Sequence, residues 1–347
     1  MVGDPQLAGS HRGRRLVSAL LVLLVAVSLA GPAWGVNHDL PSDTAAVLTW
    51  AVRPLSAVAW PITLCLLLAC GMHYLAAAGA ARAAAGVRLP VGELVATQFA
   101  ASAANRLTPA GLGGATVNGR FLHRRGLLSP GGAAAAVSAL AGLGAVADVI
   151  VFSLVLALGT ATGLPGVAGE LPLLAHKITG LLPIPAGAWW LLPAAATPLA
   201  VIAGVPTLRR AIYPTRARML RGYATTLGLL LRRPGRVSAL MSCSAAATLT
   251  LAVGFAAAAT LSPTGIAPGS FCALMIGYMA ASAAGNAVPT PGGIGTADAA
   301  LLGVLAASGS SLAHAVPIVM TFRLVTFWLP ALLGFGLARP LRRRGAL

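Results

Sequence analysis

The stretch Asn286 to Gly295 reads NAVPTPGGIG, which places two prolines and three glycines inside an otherwise apolar run. An acidic residue, Asp298, follows three positions later. In membrane hydrocarbon every backbone N–H and C=O needs a partner, so such a break is tolerated only where it is buried in protein or lines a polar cavity. The stretch therefore predicts a broken membrane helix at a functional site.

The composition indicates a membrane protein throughout. Of 347 residues, 57% are hydrophobic and 9% are charged, and the mean hydropathy is +0.85, whereas soluble domains carry about 25% charged residues. We expect one all-α integral membrane domain over residues 1–347. The formal net charge is +17, but the sequence lacks the aromatic and basic pattern of a nucleic-acid module. No nucleic-acid partner is therefore expected.

Segment lengths predict the spans. A membrane helix needs about 20 apolar residues, and six runs qualify. Two further apolar regions, 90–118 and 268–308, are broken in the middle by Pro/Gly clusters and are predicted to be re-entrant helical hairpins. If each hairpin is instead a pair of full spans, the loops stay on the same sides of the membrane. A total of 8–10 membrane segments is therefore an alternative. The six runs lie near residues 16–34, 55–80, 131–160, 188–206, 236–262 and 312–337.

Basic residues predict the orientation, because Lys and Arg near span ends accumulate on the cytoplasmic side. With both termini in the cytoplasm, only Arg53 and Lys177 fall outside, and Arg106 and Arg323 lie at membrane depth. All other basic residues fall inside. The N-terminal run is expected to remain as a span rather than to be cleaved as a signal peptide.

An internal repeat relates the two halves. AASAAN at 100–105 recurs as AASAAGN at 280–286, and each copy runs into a Pro/Gly cluster. The first repeat is predicted over 16–160 with hairpin 90–118, and the second over 188–337 with hairpin 268–308. An odd number of crossings per half inverts the second half. In transporters of this kind the substrate lies near the membrane midplane, at the repeat interface.

A helix broken inside the membrane leaves unpaired N–H groups at the N-terminus of its second part, which favours an anion. We expect Thr296 to be the N-cap of this part, beside amides that face a phosphate-like group. Glycines that only allow close helix packing are the alternative. The candidate substrate-binding residues are Asn105, Arg106, Thr108, Pro109, Gly113, Gly114, Arg120, Asn286, Pro289, Pro291, Gly292, Gly293, Gly295, Thr296, Asp298 and Arg323.

Charged side chains at membrane depth cost roughly 2.5 to 3.5 kcal/mol on insertion scales and normally face a bundle interior or a cavity. We expect Arg323 to meet Asp298 or Asp148 and also the anionic part of a substrate, with a carboxylate available for proton coupling. A purely structural ion pair is the alternative. Glu93 is a weaker candidate, because it is placed at the interface beside Arg88.

Signals for metal, cofactor or enzyme chemistry are absent from the sequence. His73 and His314 lie within spans without ligand-type partners, which favours core histidines. The four cysteines, which lack paired spacing, read as small buried hydrophobes. No HExxH, GxSxG or GxxxxGK[ST] motif occurs. We therefore expect neither a metal nor a cofactor, and no enzymatic activity.

Three segments resemble one known family. PTPGGIG at 289–295 with an acid three residues on, NRLTPAGLGG at 105–114 followed by Arg120, and RLVTFWLP at 323–330 look like the flippase-like transmembrane domain of the lysylphosphatidylglycerol synthase family. The resemblance covers about residues 55 to 338 and implies a bacterial inner-membrane protein that moves lipids between leaflets. It does not extend to the aminoacyl-transfer domain of some relatives. The family usually has Glu where Asp298 stands.

The sequence predicts a flippase or transporter for an anionic lipid or a polyprenyl-phosphate-linked intermediate. Hairpin tips at 105–114 and 286–298 would bind the head group while the lipid chain stays in the bilayer. A small-molecule or ion transporter is one alternative, and a non-transporting subunit of a cell-envelope assembly system is another. A homo-oligomer or a membrane enzyme partner is also open.

Overall fold

The computed structural model describes residues 60–108, 112–161, 221–262, 266–287 and 295–347. These parts of the chain are helical and contain no strand, as alanine-rich and leucine-rich segments in a membrane favour. Residues 221–231 are also helical. The labelled helices are α1 (Trp60–Ala85), α2 (Val91–Leu107), α3 (Leu112–Arg124), α4 (Pro130–Ala161), α5 (Pro234–Leu261), α6 (Phe271–Ala287), α7 (Thr296–Ala307), α8 (Leu312–Arg323) and α9 (Leu329–Arg343).

Among the described residues, four helical segments are long and apolar enough to cross a membrane. They are Trp60–Ala85, Pro130–Gly159, Pro234–Leu261 and Leu312–Arg343. The spans predicted near 55–80, 131–160, 236–262 and 312–337 fall on these segments. The predicted spans at 16–34 and 188–206 lie outside the described residues.

Helices α1 and α5 pack side by side and run antiparallel through small residues. A Cβ on Gly79 would lie 2.8 Å from Sγ of Cys243, and one on Gly254 would lie 3.0 Å from Cβ of Ala69. At the end of α1 the guanidinium of Arg236 donates to the carbonyl oxygens of Ala83 and Ala84 at 3.0 to 3.1 Å. Arg236 thereby satisfies carbonyl groups that have no partner within the helix.

Each Pro/Gly-broken region forms two packed helices. In the first, α2 and α3 run antiparallel, because Gly113 faces Ala104 near the tip and Asn118 bonds to Gln98 further along. In the second, α6 and α7 do the same, with Gly285 facing Ala297 and Gly277 facing Val304. Glycine at these contacts lets the two helix backbones approach closely.

The last helical segment changes its winding in the middle. A single π turn, Leu324–Trp328, joins α8 to α9, and Pro330 follows within the first turn of α9. Proline has no N–H and clashes with the carbonyl four residues earlier, which explains the wider turn before it. Helix α9 then packs on α2, where Gly334 faces the carbonyl of Phe99.

Two hydrophobic clusters hold these helices together. One includes the rings of Phe255, Tyr278 and Phe322, whose centroids are 5.3 to 5.7 Å apart. The other joins the ends of several helices around Phe121 and Leu240. The first cluster fixes Phe322, the residue that precedes Arg323.

Candidate functional site

Asp298 and Arg323 form a buried ion pair. The Nε atom of Arg323 donates to Oδ1 of Asp298, and Nη2 donates to Oδ2 at 3.3 Å. The side chains are only 4% and 12% exposed. Of the two carboxylates expected to meet Arg323, the structure places Asp298 against it.

Asp298 also caps its own helix. The residue before α7 is Gly295, whose φ of 84° lies in the region that favours glycine. Its N–H donates to Oδ2 of Asp298 at 2.9 Å. The prediction that Thr296 is the N-cap was wrong, since Thr296 is the first residue of α7. The amide of Gly295 is likewise bonded to Asp298 rather than turned toward an anion.

The ring of Phe327 lies against two cations. The Cζ atom of Arg106 is 3.6 Å from the ring centroid, and that of Arg323 is 4.1 Å from it. The negative face of an aromatic ring attracts a guanidinium. Among the described residues, no carboxylate oxygen lies within 4 Å of Arg106, and its buried Nε has no hydrogen-bond partner.

These groups line a cavity of about 490 Å³, within the range of about 300–1,000 Å³ that small-molecule sites occupy. Helices α1 to α7 and the segment around the π turn all contribute to its wall. Its polar and aromatic lining residues are His73, Tyr74, Gln98, Ser102, Asn105, Arg106, Asn118, Tyr278, Ser282, Phe322, Arg323, Thr326 and Phe327.

The predicted residues of the first hairpin lie at the close contact between α2 and α3. Oδ1 of Asn105 accepts a hydrogen bond from the N–H of Gly114. The N–H of Gly113 donates to Oγ1 of Thr108 at 2.7 Å. These two amides are therefore used within the hairpin, while Asn105, Gly114 and Arg106 also face the cavity.

Two polar pairs in the cavity wall were not predicted. Gln98 Nε2 donates to Oδ1 of Asn118 at 2.8 Å, and the hydroxyl of Tyr74 donates to Ser102 at 2.8 Å. All four residues are buried. Amide side chains within an apolar hairpin are the signal that could have indicated the first pair.

Asp148 lies away from the ion pair. It accepts a hydrogen bond from Thr248 of α5 and lines a second cavity of about 480 Å³. This second cavity shares His73, Tyr278, Leu251 and Ser282 with the first.

A family model described as the lysylphosphatidylglycerol synthase TM region matches residues 16–334. The chain belongs to this family. The match confirms the resemblance carried by the three segments around both hairpins and Arg323. Among curated proteins, no match to the chain was found.

The other predicted site residues either do not line the cavity or lie outside the described residues. Arg120 is exposed on α3 and does not line the cavity. Glu93 pairs with Arg125 at 2.7 Å, a contact across the first hairpin. Asn286 lies in the last turn of α6. Outside the described residues are Pro109, Pro289, Pro291, Gly292 and Gly293.

Within the described parts of the chain, no group of three or more His, Cys, Asp or Glu side chains is placed to hold a metal ion. The cavity instead presents two guanidiniums together with neutral amides and hydroxyls, and Asp298 lies behind Arg323 rather than in the lining. This set suits an anion that also accepts or donates neutral hydrogen bonds.

Proposed function

We propose that this protein moves an anionic lipid, or a lipid-linked intermediate such as a polyprenyl-phosphate, between the leaflets of the membrane. The observation that carries the proposal is Arg106. Its guanidinium lines the cavity with no carboxylate within 4 Å in the described residues. Because a charge at membrane depth is normally paired or faces a cavity, an anionic head group is the partner that this position favours.

Arg323 contributes differently from Arg106. Its charge is balanced by Asp298, so it adds hydrogen-bond donors and a fixed geometry rather than an excess charge. Phe327 gives each of the two guanidiniums a favourable ring contact. The head group would therefore bind beside Arg106, with the lipid chain in the bilayer.

The family supports a lipid-related role in a membrane. We place the protein in the bacterial inner membrane with both termini in the cytoplasm, acting as a transporter rather than an enzyme. The two antiparallel helix pairs, α2 with α3 and α6 with α7, would be the equivalent hairpins of an inverted repeat. Rocking one repeat against the other would expose the cavity to each leaflet in turn.

The test is a pair of measurements on purified protein. Native mass spectrometry identifies lipids retained by the wild type, by Arg106→Ala and by the control Arg82→Ala, which changes an exposed arginine outside the cavity. Proteoliposomes with fluorescent phosphatidylglycerol then report movement between leaflets, by the fraction that a membrane-impermeant quencher reaches.

We expect an anionic lipid that is retained by the wild type and Arg82→Ala and lost from Arg106→Ala. The accelerated flipping should fall at least tenfold in the same variant. Equal lipid retention in all three proteins would contradict binding at Arg106. Retention without any flipping above protein-free vesicles would favour a non-transporting membrane subunit. A soluble anion that displaces the lipid and is itself taken up would favour a solute transporter.

A further inference from the structure

The second cavity contains charged and titratable groups that anion binding at Arg106 does not use. Asp148 and Thr248 form its polar wall with His73, and the remaining lining side chains include Phe152 and Met279. His73 is held in place by a 2.9 Å hydrogen bond between Nδ1 and the carbonyl oxygen of Ala247.

The two cavities meet at a shared wall. His73, Tyr278, Leu251 and Ser282 line both of them. His73 thus lines the first cavity together with Arg106 and the second together with Asp148. Asp148 is exposed on the protein surface, but it lies within a candidate membrane span. In that low-dielectric setting a change of charge in one cavity acts on charges in the other.

The charges of the two cavities can be counted from the described residues. Asp298 neutralises Arg323, which leaves the positive Arg106 in the first cavity and the negative Asp148 in the second. With His73 neutral, these two charges balance. A bound monovalent anion leaves one negative charge in excess, and one added proton restores the balance.

We infer that the second cavity is a proton-binding site, in which Asp148 takes up one proton when an anionic head group binds beside Arg106. The inference rests on the proposed function. Linkage makes the effect reciprocal, so protonation of Asp148 strengthens anion binding by the same factor by which the anion favours protonation. Anion and proton would then be carried together, and their coupled movement would leave the membrane potential unchanged.

The groups around Asp148 allow this assignment to be tested. The charged side chains from Arg120 to Arg124 lie toward the C-terminal end of α3 and do not line the second cavity. Cys243 of α5 does not line it either, and packs against Gly79. The groups that approach the second cavity from the helices packed against α4 are His73 of α1, Thr248 of α5 and Tyr278 of α6.

The experiment is isothermal titration of dioctanoyl phosphatidylglycerol into the detergent-solubilised protein. Measurements in two buffers with different ionisation enthalpies give the number of protons taken up per lipid bound. The wild type is expected to take up about one proton per lipid near neutral pH, and over that same range its Kd should rise by up to about tenfold per pH unit.

Asp148→Asn is expected to bind with an affinity that does not depend on pH and to take up no proton. Glu93→Gln is the matched control, because it removes a carboxylate that lines neither cavity, and it should behave as the wild type. Thr248→Val should retain the uptake and extend it to higher pH, since it removes a donor to the ionised carboxylate. His73→Gln and Tyr278→Phe should keep most of the uptake.

The outcomes separate the two proposals. Saturable binding that Arg106→Ala abolishes, but with no proton uptake by the wild type, overturns the proton site and leaves the anion site standing. Uptake that survives Asp148→Asn and disappears in His73→Gln also overturns the assignment. Wild-type binding that is absent, or unchanged in Arg106→Ala, overturns the proposed function and this inference with it. If Asp148→Asn fails to fold, uptake by Thr248→Val that matches the wild type at every pH counts against Asp148.

Discussion

At the scale of single residues, the site contains two arginines, of which one is paired with a carboxylate and the other is not. Asp298 bonds to Arg323 and to the N–H of Gly295, so its two oxygens fix both a charge and the start of α7. Arg106 has an aromatic ring in place of a carboxylate. In the proposed function, Arg106 is therefore the cation that binds substrate, and Arg323 belongs to the framework.

Replacing Asp298 by Asn tests the framework role. Asparagine can still accept from the N–H of Gly295, but it removes the charge that faces Arg323. Breaking a buried ion pair by removing one partner costs about 3 to 5 kcal/mol. We expect a lower melting temperature in detergent, measured by the fluorescence of intrinsic tryptophan.

The control for this prediction is Glu93→Gln, which breaks the pair with Arg125. The Arg125 side chain is 37% exposed, and such pairs contribute about 1 kcal/mol or less. A melting temperature of Asp298→Asn no lower than that of Glu93→Gln would contradict the framework role.

At the scale of helices, close approach through glycine decides the packing. Gly334 of α9 lies so near α2 that a Cβ would be 2.0 Å from the carbonyl oxygen of Phe99. Two residues further along, a Cβ on Gly336 would meet nothing within 4 Å. The contact at Gly334 keeps α9 against α2, which carries Arg106 toward the ring of Phe327.

These two glycines provide a matched prediction. Gly334→Ala forces the two helices apart, and overpacking of this kind typically costs about 1 to 3 kcal/mol. Gly336→Ala adds a methyl group in open space and should be neutral or slightly stabilising, because alanine favours helix over glycine. Thermal unfolding of both variants in detergent checks the difference, and equal melting temperatures would rule out a close contact at Gly334.

At the scale of the whole molecule, the sequence predicted the helices better than the contacts between them. Span length and Pro/Gly breaks depend on local composition, so the helices found at 60–85, 130–161 and 234–261 lie close to their predicted ranges. The contact of Phe327 with two arginines depends on how α2 is placed relative to the π turn, which no local pattern encodes. The N-cap was missed for a related reason, since Gly295 has a positive φ that frees its amide for Asp298.

The arrangement of helix ends also brings basic residues together. Arg236 bonds to the end of α1, Arg125 pairs with Glu93 near the start of α2, and Arg124 donates to the carbonyl oxygen of Leu347 at 3.0 Å. The end of α1, the start of α2, the end of α3, the start of α5 and the end of α9 therefore share one side of the molecule. Exposed arginines at this side include Arg82, Arg88, Arg232, Arg233, Arg339, Arg342, Arg343 and Arg344.

This clustering predicts that the arginine-rich side faces the cytoplasm, since Lys and Arg near span ends are retained there. A green fluorescent protein fused after Leu347 should fluoresce in a bacterial host, and alkaline phosphatase fused at the same position should be inactive. Active phosphatase would place this side outside and invert the proposed topology. Replacing the four exposed arginines from Arg339 to Arg344 by alanine should weaken the fluorescence signal only modestly, because the arginines of the other helix ends hold the same orientation.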